Sequence, residues 1–219
     1  MAIEQLLLVP GHATFSDKVK AIGQVDINDE NNWVLLPYQR GEVPCYLEHI
    51  EWGLEELRIR NNAVLTFAGG VSRTESHWSE ADSYKVCAQI ICNEFGWDFE
   101  ELKPRINLET RSTDSIQNLL QSILGFKDLY GTLPKMVTVG GWGFKKERFE
   151  EIARIIKWPL GKFAYVEVNC PQNIKEVVEL EQESLKRLIL SPTGAQPLLM
   201  GGRVWSGPIQ SKLQINYAG

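Results

Sequence analysis

Positive charge is in short supply in this chain of 219 residues: 23 lysines and arginines stand against 28 acidic residues, a formal charge of −5. That balance argues against a general nucleic-acid binder, which needs a positive field. Cysteine is sparse and scattered. Cys45, Cys87, Cys92 and Cys170 form no C-x-x-C pair, so structural zinc is not expected and reduced, buried thiols are. Only three histidines occur, His12, His49 and His77. Long apolar runs are missing as well. Leu6-Leu7-Leu8-Val9 is far too short for a signal peptide or a membrane span, and Met1-Ala2-Ile3-Glu4 carries no basic segment. The expectation is a soluble cytoplasmic protein without a membrane partner. Neither the G-x-G-x-x-G fingerprint nor a Walker loop occurs.

What is present is an ordinary globular composition, 43% hydrophobic and 23% charged, at a length that suits one large domain, 1–219. Apolar runs alternate with helical patterns. This predicts an α/β fold in three layers, Rossmann-like, with a mostly parallel sheet and helices on both faces. Strands are expected at 5–9, 63–68, 106–109, 136–139 and 163–168. A helix over 46–60 carries the stripe Leu47, Ile50, Leu54 and Leu57. Ser79 is a good N-cap, with Asp82 three residues later, for a helix that turns Tyr84, Cys87, Ile91 and Phe95 inward. A third helix over 113–130 buries Ile116, Leu119, Leu120, Ile123 and Leu124 and stops at Gly131. Helices over 144–158 and 174–189 follow. The polar stretch 12–44 reads as a functional lid or a mobile loop, and 191–219 as a surface-wrapping tail.

Ligands of open α/β sheets bind outside the carboxyl ends of the strands. The residues expected there form one composite polar site. Gly11 and His12 follow the first strand; Gly69, Gly70, Ser72 and Arg73 follow the second, with Glu80 in the next helical turn. Glu109, Arg111, Ser112, Asp114, Ser115 and Asn118 surround the exit of the third, and Gly140, Gly141, Lys145 and Arg148 that of the fourth. Glycines let backbone N–H groups approach a ligand, helix N-termini favour anions, and the arginines and Lys145 add local positive charge. The combination points to a small molecule bearing phosphate or carboxylate. His12, Glu109 and Asp114 are the candidate catalytic groups, with His12 or Glu109 as acid or base. Trp78 or Trp142 is available to stack on a base. A metal centre from His12, Glu80, Glu109 and Asp114 is conceivable, but the spacing matches no metal motif, so no metal is expected. Plainer readings exist for parts of the set: Gly69-Gly70 as a tight turn, Ser79 and Ser112 as caps, Lys145, Lys146 and Arg148 as a solvated face.

Four strings carry a family likeness: Leu8-Val9-Pro10-Gly11-His12-Ala13, Phe67-Ala68-Gly69-Gly70, Ser79-Glu80-Ala81-Asp82-Ser83-Tyr84, and Arg111-Ser112-Thr113-Asp114-Ser115-Ile116-Gln117-Asn118. In this order they resemble the domain-of-unknown-function 218 (YdcF-like) family, which includes the SanA-like and ElyC-like bacterial proteins. The likeness is nearer to a soluble fungal-type branch, which shares a segment like Glu48-His49-Ile50 and a basic stretch like Lys145 to Phe149. The resemblance implies a Rossmann-like fold with its polar site at the strand ends. It also implies nucleotide binding, S-adenosylmethionine being the cofactor with which members are often labelled. One departure stands out: where the bacterial branch has a histidine, three residues before an arginine, this chain has Lys145. Two functions compete, an enzyme acting on a phosphorylated or nucleotide-like molecule and a non-catalytic nucleotide or S-adenosylmethionine-binding module.

Overall fold

The computed structural model describes residues 2–20, 25–170 and 174–190. The tail expected at 191–219 lies outside the described residues. In chain order the strands are β1 (Gln5–Pro10), β2 (Thr14–Phe15), β3 (Trp33–Val34), β4 (Ala63–Ala68), β5 (Ile106–Glu109), β6 (Met136–Trp142) and β7 (Phe163–Asn169). The helices are α1 (Val43–Ile59), α2 (Glu80–Glu94), α3 (Phe99–Leu102), α4 (Ser115–Tyr130), α5 (Lys146–Ile155) and α6 (Ile174–Leu190). Five strands form one parallel sheet in the order β5-β4-β1-β6-β7. The chain therefore builds outward from β1 on one side, then returns to build outward on the other. Strand order reverses between β1 and β6, which opens a crevice above their carboxyl ends.

The two-residue period of a strand sorts the core into two layers. Leu7, Val9, Leu65 and Phe67 face α1 and α2, while Leu6, Leu8, Val64 and Ala68 face α4 and α5. The residues Leu6 to Val9 are all fully buried, so each contributes roughly 1.5–3 kcal/mol of hydrophobic stabilisation. A central strand covered on both faces must read as a continuous apolar run, and β1 does. The three-layer α/β architecture expected from the alternating pattern is thus the one observed.

Several local expectations need correction. The fourth sheet strand does not stop before its glycines; β6 runs through Gly140 and Gly141 to Trp142. A Cβ on Gly140 would lie 2.1 Å from the Trp52 ring of α1, so this glycine makes room for a partly buried tryptophan, and it is not among the residues lining the cavity described below. Phe95 ends α2 half in solvent, and Phe126, not Leu124, is the fully buried aromatic or aliphatic group near the end of α4. A single 3-10 turn, Gly143–Lys145, precedes α5, which ends before Trp158. All four cysteines are free, but only Cys87 and Cys92 are buried; Cys170 is exposed.

The described part of the stretch 12–44, residues 12–20 and 25–44, is more built than a mobile loop. β2 and β3 pair antiparallel, with Phe15 against Trp33 at 4.5 Å between ring centres. The Phe15 N–H donates to Ser83 Oγ of α2 at 2.9 Å, and Ser76 Oγ donates to the Phe15 carbonyl at 2.5 Å. Backbone groups that leave the main sheet are thereby satisfied by side chains, which fixes this cap over α2.

Candidate functional site

A cavity of about 360 Å³ opens at the reversal point. Its floor is Pro10, Gly11 and His12 at the end of β1; its walls come from Arg73 and Glu80, from the start of α4, and from Trp142, Phe144 and Lys145 at and just past the end of β6. Of the residues expected from sequence, the structure brings Gly11, His12, Arg73, Glu80, Asp114, Ser115, Asn118, Lys145 and Arg148 to this one space, with Ser112.

The second-strand glycines do something different from what was expected. Their N–H groups are not available to a ligand: Gly69 donates to the Glu109 carbonyl at 2.8 Å and Gly70 to the Ser112 carbonyl at 2.6 Å. The start of α2 is equally closed, since Glu80 and Ala81 donate to the Gly70 and Gly69 carbonyls. Ser79 accepts from the Asp82 N–H as its N-cap. Gly69 has a φ of +153°, and a Cβ there would lie 2.3 Å from Glu80 Oε2. The turn therefore makes room for the Glu80 side chain. Ser72 supports the same carboxyl, its hydroxyl donating to Oε1 at 2.6 Å. Burial pushes the Glu80 carboxyl above the usual carboxylate range, against the Ser72 hydrogen bond and the charges of Arg73 and Lys145.

Glu109 and Arg111 do not reach the cavity. The Glu109 carboxylate accepts the N–H groups of Arg111 and Ser112 at 2.9 and 3.1 Å, holding the turn after β5. Arg111 reaches into solvent, 3.6 Å from that carboxylate. Glu109→Gln is therefore expected to lower stability by roughly 1–3 kcal/mol and to leave anion affinity unchanged. Urea unfolding beside phosphate titration reads both. Asp114, not Ser112, caps α4 by accepting the Gln117 N–H at 2.8 Å, and it lines the cavity as well. Ser112 Oγ and Asn118 Oδ1, both buried, have no hydrogen-bond partner among the described residues.

The cations divide into two kinds. Arg148 is committed to Glu181 of α6 at 2.5 Å, with both side chains largely buried. Among the described residues Arg73 donates only to neutral oxygens, the Ser72 carbonyl and Gln39 Oε1, both at 3.2 Å, and its buried Nε has no partner there. Lys145 lies 3.3 Å from His12 Nδ1. Among the described residues, neither Arg73 nor Lys145 has a carboxylate at ion-pair distance. Burial, and then the Arg148 charge, draws the Lys145 ammonium down to about 8, against the pull of Glu181, Glu80 and Glu42.

Half-buried on the cavity floor, His12 packs against an aromatic cluster, its ring centre 5.4 Å from those of Tyr46 and His49 and 6.0 Å from Trp142. Burial, then Lys145 and His49, holds its pKa well below the ordinary histidine value, so its imidazole is neutral. An ammonium can only donate, which makes Nδ1 the acceptor and leaves the proton on Nε2. His49 is also buried and drawn down to about 4, against its hydrogen bond to Asn169. Trp142 is 2% exposed inside this cluster, and Trp78 packs edge-on to Phe15 away from the cavity. Neither presents a free face to a base.

Sequence reasoning did not single out Gln39, Glu42, Tyr46 or Glu181. Gln39 latches the cap: Nε2 donates to the His12 carbonyl at 2.8 Å while Oε1 accepts from Leu36 and Arg73. Glu42 accepts from the Tyr46 hydroxyl at 2.6 Å, and burial raises its pKa despite that bond. Both sit in or beside the long polar stretch, whose length was the available signal. Glu181 was one acid among many on a charged helix.

No protein-family model matches the chain, and no solved structure matches it. A curated protein of Saccharomyces cerevisiae, described as uncharacterized protein YOR238W, is 26% identical over an alignment covering 75% of this chain and 67% of its own length. Among the described residues no group of three or more His, Cys, Asp or Glu side chains is placed to hold a metal ion, and no helix is long and apolar enough to cross a membrane.

Proposed function

We propose that this chain is an enzyme of the YdcF-like kind acting on a small phosphorylated or nucleotide-like molecule held above β1 and β6. The observation that carries the reading is the pair Arg73 and Lys145, two cations lining one cavity with no carboxylate partner among the described residues. An anion between them would offset the cost of keeping two charges out of water. The start of α4 supports the same reading. Ser112 Oγ and Asn118 Oδ1 are buried polar atoms with unmet hydrogen bonds, matched by hydroxyl or amide groups such as a sugar or base carries.

The roles differ from those the sequence suggested. Glu80, a half-buried carboxyl biased toward its protonated form, is the general acid. His12 is a neutral acceptor that orients Lys145. The alternative, a nucleotide or S-adenosylmethionine-binding module, loses support where it relied on tryptophan stacking.

Calorimetric titration with inorganic phosphate and with AMP tests the anion site. Arg73→Ala removes a charge-assisted contact of roughly 1.5–3 kcal/mol, so affinity should fall about tenfold or more. Arg73→Lys keeps the charge and loses the fork, and should lie between. Equal affinity in all three proteins sinks the reading.

A further inference from the structure

We propose that Lys145 is a carbonyl-reactive amine, whose ε-nitrogen forms an imine with an aldehyde or ketone borne by the anionic ligand of this cavity. The inference rests on the anion-site reading above, since Arg73 is what would place the ligand's charged end.

Lys145 sits where such chemistry is favoured. It follows directly on the β6 exit, lines the cavity, and is flanked by the cation of Arg148 on the next helix. Desolvation beside a second cation is a recognised way to keep an amine unprotonated and nucleophilic. The hydrogen bond at Lys145 has a fixed direction. Asn169 Nδ2 donates to the Cys45 carbonyl at 3.1 Å and to Glu48 at 2.6 Å, so its Oδ1 accepts from His49 Nε2 at 2.7 Å. That leaves His49 Nδ1 as a buried acceptor and His12 Nε2 as a buried donor, neither with a hydrogen-bond partner among the described residues, on rings 5.4 Å apart and edge-on. The His12 tautomer is set instead by Lys145, whose ammonium can only donate and so takes Nδ1 as its acceptor. An amine donating one N–H to Nδ1 keeps its lone pair and other N–H for the cavity.

The lone pair adds to the carbonyl carbon, and one N–H proton ends on the former carbonyl oxygen, giving a carbinolamine. Loss of that hydroxyl as water, with the second N–H proton, leaves the C=N bond. Glu80 and Glu42, both biased toward protonation, border the same space and supply and recover the protons. The groups that face Lys145 and set its titration are His12, Glu42, Glu80, Arg148 and Glu181.

Reductive trapping of the full chain with glyoxylate and cyanoborohydride, followed by peptide mapping, tests this between about pH 6 and pH 10. At pH 8 an amine titrating near 8 is half neutral, whereas an ordinary lysine is almost wholly charged. Lys145 should therefore label on the order of tenfold faster, or more, than the exposed Lys103 and Lys135, and saturating phosphate should slow it. Lys145→Arg should lose the adduct from that peptide while Lys103 and Lys135 keep their slow labelling. Label spread over the lysines according to exposure overturns the proposal. Phosphate binding that depends on Arg73, with Lys145 unlabelled, sinks the imine and leaves the anion site standing; selective Lys145 labelling with no phosphate binding sinks the anion site instead.

Discussion

Stability should fall by about 3 kcal/mol or more as the pH drops from about 6.5 toward 4, the loss beginning above the range where ordinary carboxylates titrate, and His49→Gln should remove much of it. His49 is fully buried, and its folded-state pKa is drawn down from 6.5 to about 4. The unfolded chain then binds a proton at a pH where the folded one does not. By linkage, its full contribution is present above about 6.5 and is lost as the pH falls through that window. For His49 alone the window corresponds to about 3 kcal/mol by pH 4. His12, shifted in the same direction and for the same leading reason, steepens the acid limb. Urea unfolding of wild type and His49→Gln across this range measures the effect. A wild-type curve flat from neutral pH to 4.5, or one the variant reproduces, would contradict the buried neutral pair.

The sheet was legible because β1, β4 and β6 are buried on both faces and their sequences have no choice but to be apolar. Their carboxyl ends were legible for a related reason, since glycine and polar residues interrupt each run. What the sequence did not convey was direction. Gly69, Gly70 and Gly140 look alike as strand-end glycines, yet the first makes room for Glu80, the second ties down the turn before α4, and the third seats Trp52. Glu109 and Glu80 are both acids beside a strand exit, but only Glu80 faces the cavity; Glu109 is spent on its own turn. Helix-face reasoning placed His49 on α1 without showing that the face lies behind His12. Pairwise commitments such as Arg148 with Glu181 link residues far apart in the chain, and no local pattern reports them.

Lys145→Met should make the protein more stable at neutral pH and worse at binding anions. In the folded state the ammonium is held near 8, against 10.5 for an ordinary lysine, so at pH 7 the folded protein carries a charge that its surroundings disfavour. Methionine fills similar space without that cost. Lys145 is only partly buried, and the variant leaves His12 Nδ1 without its donor, so the net gain is roughly 1–2 kcal/mol after solvent screening. The sign of the pH dependence separates this cause from better packing. Between about 8 and 10.5 the unfolded wild-type chain binds more protons than the folded one, so wild-type stability rises with pH through that window. The advantage of the variant should therefore shrink as the solution is made alkaline, whereas a packing gain would persist. Phosphate affinity should drop about tenfold or more in the same protein, because one of the two unpaired cations is gone. Thermal and urea unfolding at pH 7 and near pH 10, beside phosphate titration, read both halves. A variant that is less stable at neutral pH would mean that Lys145 holds the site together, and one with unchanged phosphate affinity would mean that the anion does not touch it.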